Sequence, residues 1–202
     1  MRLEELTTLL KQRRALIVHC SRPGKGNEMD DVPLFPDDLK NAMKICEQGQ
    51  GDLSCSLIWP GHIKTFGAVG IILEPCSLAS ITSISATDSG TTVCSNGMRR
   101  GGGVQFSAEA VMDTFTNSTD YNEWTIKNAK TVGIFVNDHG PLEVARRVSA
   151  KDIPGYDPTM AHLIDHPEII CAVAISVAEI KTEFPSLPIC RYQNGEIVQI
   201  SF

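Results

Sequence analysis

Leu3, Leu6, Leu9 and Leu10 recur at the spacing of one helix face, which predicts an amphipathic helix over residues 2–13. The short apolar run Ala15–His19 reads as a buried strand. Pro23, Gly24, Gly26 and Pro33 mark residues 21–35 as a loop. Pro36-Asp37-Asp38 opens a helix that runs to about Cys46, because proline suits a first turn and acids suit its positive end. Leu53–Trp59, Phe66–Leu73 and Ile81–Ala86 read as strands, and the last alternates Ile with Ser or Thr. Residues 87–104 form a polar, glycine-rich loop, and Ser107 caps a helix that reaches Phe115. Trp124–Val136 holds one strand or two, broken near Asn128 or Lys130. Pro141–Val148 and Pro158–Ile164 read as short helices. Ile169–Ile180 is open between a helix, by its length, and a strand, by its Ile and Val content. Ile189–Tyr192 and Ile197–Phe202 flank Asn194-Gly195, the strongest short signal for a hairpin. Many short strands with few helices predict an α+β fold in a single domain over residues 1–202.

Composition narrows the function. With 42% hydrophobic and 21% charged residues the chain is neither disordered nor fibrous. No apolar run approaches the roughly 20 residues of a membrane helix. A formal net charge of −6 disfavours non-specific nucleic-acid binding, which needs a basic footprint. The seven cysteines form no C-x-x-C pair, so neither a zinc nor a redox spacing is present, and no metal is expected. The start of the chain does not read as a secretory signal peptide. The expected location is therefore a reducing, cytoplasmic one. Delivery into a host or target cell without a classical signal would leave the same signs.

Polar residues fit for chemistry gather at strand ends: His19-Cys20-Ser21, Ser83 and Ser85, Tyr121-Asn122-Glu123-Trp124, and Asp138-His139. Each has a plain structural alternative. Ser83 and Ser85 suit the solvent side of a half-buried strand. Asp88-Ser89-Gly90 and Asp138-His139-Gly140 suit turns. Trp124 suits core packing.

Their order is more informative than any one of them. A strand ending in His19 comes first, a Ser-rich strand follows, and a glutamate then enters a later strand. Glu123 follows His19 by 104 residues and Ser83 by 40. In this order the chain resembles the ADP-ribosyltransferase superfamily of bacterial toxins and effectors, over about residues 14–136. Two residues before Glu123 stands Tyr121, where the branch with a Ser-rich strand carries Glu or Gln, so the branch stays open.

The resemblance implies a mixed or antiparallel split sheet around a cleft, with short flanking helices and an accessory segment over about 141–202. It implies transfer of ADP-ribose from NAD to a protein side chain with release of nicotinamide. Glu123 would stabilise the oxocarbenium-like transition state, and Ser83 or Ser85 would orient it. His19, Ser21 and Tyr121 would bind the donor. Arg99 and Arg100, beside three glycines, would contact its diphosphate. The expected partners are NAD and a protein acceptor. Two other classes remain open: a non-enzymatic binding or immunity-type protein, and a cysteine-dependent hydrolase or transferase built on Cys20, His19 and Asp138-His139.

Overall fold

The computed structural model describes residues 1–22, 33–62, 64–87, 104–116, 121–152, 159 and 168–200. In chain order its elements are α1 (Leu3–Arg13), β1 (Leu16–Cys20), α2 (Asp37–Glu47), β2 (Leu53–Ile58), β3 (Val69–Pro75), β4 (Ile81–Ser85) and α3 (Ala108–Thr116). There follow β5 (Glu123–Ile126), β6 (Ala129–Asn137), β7 (Glu143–Ser149), β8 (Glu168–Ala174), α4 (Val177–Glu183), β9 (Ile189–Gln193) and β10 (Glu196–Ile200). The protein is α+β. Eight strands form one mixed sheet in the order β10-β9-β6-β3-β1-β2-β5-β4, and β7 pairs with β8 as a separate ribbon. Within the large sheet β6–β9 is parallel and the other pairs are antiparallel.

Helices α1 to α4 bury their apolar stripes on one face of the sheet. Leu6 of α1, Leu39, Ala42 and Cys46 of α2, Val111 of α3 and Ile180 of α4 join Ile17, Leu57, Ile71 and Trp124 in the larger core. Each fully buried Leu or Ile contributes about 1.5–3 kcal/mol relative to exposure. The other face holds a smaller core of Val18, Ile58, Ile72, Phe135 and Tyr192, with Ile197 of β10 packed against it. The β9–β10 hairpin therefore folds back over the sheet. Its Gly195 carbonyl accepts the Gly61 N–H at 2.9 Å. Arg14, at the corner between α1 and β1, donates to the Glu196 carboxylate and to the Ile197 carbonyl, each at 2.7 Å. The hairpin turn is Asn194-Gly195, with φ of 53° and 79°, as its sequence implied.

Strand β2 is paired by halves. Its ladder with β1 runs from Leu16↔Ile58 to Val18↔Ser56. Its ladder with β5 runs from Leu53↔Ile126 to Cys55↔Trp124. Neither neighbour follows it along its full length.

One expectation is corrected and one open choice is decided. Pro141–Val148 is not a helix: Glu143–Ser149 is β7, paired residue for residue with β8 from Glu143↔Ala174 to Ser149↔Glu168. Val144 and Val148 are spaced as on a helix, but cross-strand pairing decides the outcome. The ambiguous stretch Ile169–Ile180 is both elements in turn. β8 ends at Ala174, and Ser176 starts α4 by accepting the Glu179 N–H at 3.2 Å, while Glu179 accepts the Ser176 N–H at 2.8 Å. The helix expected over Pro158–Ile164 lies, apart from Thr159, outside the described residues.

Trp124 is held at its far end as well as in the ladder. Its indole N–H donates to Thr114 Oγ1 at 3.2 Å, and that hydroxyl donates to the Ala110 carbonyl at 3.0 Å. Both side chains are fully buried. Thr114→Val leaves the indole N–H without its partner, so it should cost about 1–3 kcal/mol. A lower urea midpoint at unchanged slope is the expected reading.

Candidate functional site

Alternation along the strands decides which candidates share a face. Ser83 lies opposite Thr125, and Ser85 opposite Glu123. Ser54 lies opposite Thr125 from the other side. These five side chains therefore occupy the face away from the helices, because the intervening Trp124 and Ile84 belong to the helix-side core. Ser54 Oγ donates to Glu123 Oε1 at 2.8 Å. Ser83 Oγ donates instead to Thr125 Oγ1 at 2.8 Å.

One hydrogen-bond partner of Glu123 is thus Ser54, which stands inside an ordinary apolar strand of the sequence. The available signal was Ser54-Cys55-Ser56, two hydroxyls on one face of an otherwise apolar strand. Ser85 is the register neighbour of Glu123, and Ser83 is bonded one step further along β5.

His19 lies on the helix side. It pairs with Ile71 of β3, in the row that faces the larger core. His19 and Glu123 consequently do not enter one pocket from the same side. They meet through a single residue, because His19 Nδ1 lies 2.7 Å from the Ser54 carbonyl oxygen. A carbonyl only accepts, so Nδ1 carries the proton and Nε2 of the neutral ring is an acceptor. Burial is the main influence on this imidazole and lowers its pKa; the Ser54 carbonyl and Asp38 act in the opposite direction. Gly70 lets β3 approach closely here: a Cβ would stand 2.6 Å from the His19 carbonyl oxygen.

Beside His19 is a cavity of about 200 Å³, lined by Arg22, Asp38, Asn41, Ile45 and Leu53 among others. Ser21 Oγ donates to Asp38 Oδ2 at 2.5 Å, which also accepts the Arg22 N–H at 3.3 Å. Asp38 Oδ1 accepts the Leu39 N–H at 2.7 Å, which anchors the carboxylate in the first turn of α2. Ser21 therefore orients Asp38. A larger groove of about 340 Å³ between α1 and the end of β3 is mainly aliphatic and holds none of the candidates.

Tyr121 stacks on Phe66 with ring centroids 4.5 Å apart, and Lys64 Nζ lies 5.7 Å from the Tyr121 ring. Arg99 and Arg100 lie outside the described residues. Cys20 points to the face away from His19, and burial pushes its thiol up to about 11. Asp138 forms an ion pair with Arg191. His19 and Cys20 are thus no base–nucleophile pair. Among the described residues no three His, Cys, Asp or Glu side chains could hold a metal ion, and no helix is long and apolar enough to cross a membrane. No protein-family model matches the chain, and a search of curated proteins returns no match.

Two titrations follow. The folded pKa of His19 lies below 6.5, so below that pH the unfolded chain takes up the proton first. Its contribution to stability is complete above 6.5 and is lost as pH falls towards the folded pKa. Urea midpoints measured down the acid range should decline, and less steeply in His19→Gln. Cys20 should resist iodoacetamide at neutral pH, where only about one thiol in ten thousand is ionised. Among the cysteines of the described residues, exposed Cys76 should be labelled first in a mass-spectrometric time course.

Proposed function

We propose that the protein is an ADP-ribosyltransferase-like enzyme that cleaves the nicotinamide–ribose bond of NAD and passes ADP-ribose to a protein side chain. Ser54 carries the proposal. Its carbonyl holds His19 and its hydroxyl holds Glu123, so the two residues singled out for donor binding and for catalysis are joined through one residue.

The chemistry asks little of the protein beyond placement. The bond from ribose C1′ to the nicotinamide nitrogen breaks with its electron pair going to nitrogen, and nicotinamide leaves neutral. Positive charge grows on the ribose. A fixed carboxylate at that point lowers the barrier. Glu123 supplies it, and Ser54 limits its rotation. The acceptor then bonds to C1′ and gives up a proton. His19 lies on the opposite face of the sheet and acts on the site only through the Ser54 carbonyl that it holds. Ser85, across from Glu123, borders the reacting face.

Nicotinamide release from NAD by the purified protein tests this, with the protein acceptor omitted so that water takes its place. Glu123→Gln should lower the rate by about a hundredfold or more, the scale of losing a transition-state charge partner. Ser54→Ala should lower it by about tenfold, a barrier change of about 1.4 kcal/mol. Ser83→Ala, whose hydroxyl is committed to Thr125, should stay within about twofold. Equal rates in the wild type and Glu123→Gln would sink the proposal. Neither NAD binding nor release would instead favour a binding protein.

A further inference from the structure

Residue 122 sits one step before Glu123, at the point where the β2–β5 ladder has already ended. Asn122 is fully buried on the helix side. Its Oδ1 accepts the Leu57 N–H at 2.7 Å and its Nδ2 donates to the Leu57 carbonyl at 2.9 Å. The side-chain amide thus makes both main-chain bonds that a neighbouring strand would have made. Its second amide proton faces His62 Nε2 at 3.4 Å. His62 is itself fully buried, with its ring centroid 4.2 Å from that of Trp59.

We infer that Asn122 is a positioning residue: it fixes where β5 leaves β2 and thereby aims the Glu123 carboxylate at Ser54. The inference rests on the reading of Glu123 as the carboxylate that meets the developing charge. Glu123 is flanked by two fixed residues, Asn122, bonded to Leu57, and Trp124, whose backbone pairs with Cys55 on one side and Ile84 on the other. Its own side chain projects to the other face. With both neighbours fixed, its backbone cannot tilt, and the carboxylate stays in reach of Ser54 Oγ at 2.8 Å.

The residue type is demanded by the double bond to Leu57. The group must donate and accept within one plane, at the spacing of a peptide. Aspartate has no donor at neutral pH and would set its charge against the Leu57 carbonyl. Leucine would fill the space and leave two buried peptide groups unpaired. Serine is too short to make both bonds. Glutamine would push the chain outward by one methylene.

The test compares Asn122→Ser and Asn122→Asp with Thr114→Val, which frees the Trp124 indole N–H but leaves Leu57 and both ladders of β5 in place. Thr114→Val should be destabilised yet keep kcat for nicotinamide release within about twofold. Misplacement of a reacting group by about 1 Å can cost about a hundredfold. Both Asn122 variants should therefore lose kcat by about ten- to a hundredfold at little-changed KM for NAD. The carboxyl-carbon resonance of Glu123, assigned through Glu123→Gln, should move in the Asn122 variants and stay in Thr114→Val.

The resonance is independent of turnover. If Glu123→Gln proves as active as the wild type, the enzymatic reading fails and the resonance alone decides whether Asn122 places Glu123. Asn122→Ser retains one of the two bonds and decides the matter if Asn122→Asp does not fold. Equal losses of kcat in Asn122→Ser and Thr114→Val would overturn the inference. So would an unmoved Glu123 resonance in Asn122→Ser.

Discussion

A buried peptide group must find a partner, and in β2 the backbone supplies one along only half the strand on each side. On the β1 side the ladder ends at Ser56, and the carbonyl of Ser54 is taken by the His19 imidazole. On the β5 side the ladder ends at Cys55, and both peptide groups of Leu57 are taken by the Asn122 amide. Two side chains thus take up main-chain groups of one strand that no neighbouring strand reaches. The candidate site is organised around these substitutions. His19 is held because Ser54 needs a donor, and Glu123 stands where it does because its neighbour answers for Leu57.

The division of labour between the two faces follows from the same sheet. The helix side is thick and apolar, and it anchors Trp124 and Asn122 from below. The opposite side carries hydroxyls at Ser54, Thr125, Ser83 and Ser85 around one carboxylate. A strand residue can serve both sides only through its neighbours, because successive side chains point in opposite directions. That alternation is why the residues fixing Glu123 from below are the two adjacent to it in sequence.

Much of the fold was legible in the sequence wherever a local signal matched a local cause. The leucine stripe of α1, Pro36 before α2, Ser107 before α3 and Asn194-Gly195 each act within a few residues. β7 was not legible, since Glu143-Val144-Ala145-Arg146-Arg147 favours a helix on its own and becomes a strand only beside β8. The site was legible in part. Glu123 and His19 stood out by type and order, but the choice among serines rested on register. Ser83 and Ser85 looked richer than Ser54, and only the adjacency of β2 to β5 shows which hydroxyl reaches the carboxylate. Asn122 stood in the same polar cluster as Glu123, but nothing local showed its role, because its partner is a peptide group 65 residues away.

The parallel pair β6–β9 has a kinetic side. Ile134 meets Ile189 only after β7, β8 and α4 have intervened, and parallel strands always require such a long crossover. Closing a loop of that length costs entropy before any contact repays it, so this pairing should form late. The same hairpin that completes it also covers Val18, Ile58, Ile72 and Phe135. Until the hairpin folds back, a newly made chain presents those residues to water as a sticky open surface. In that interval, before the native state is reached, the protein is most exposed to aggregation and most in need of a chaperone's shelter.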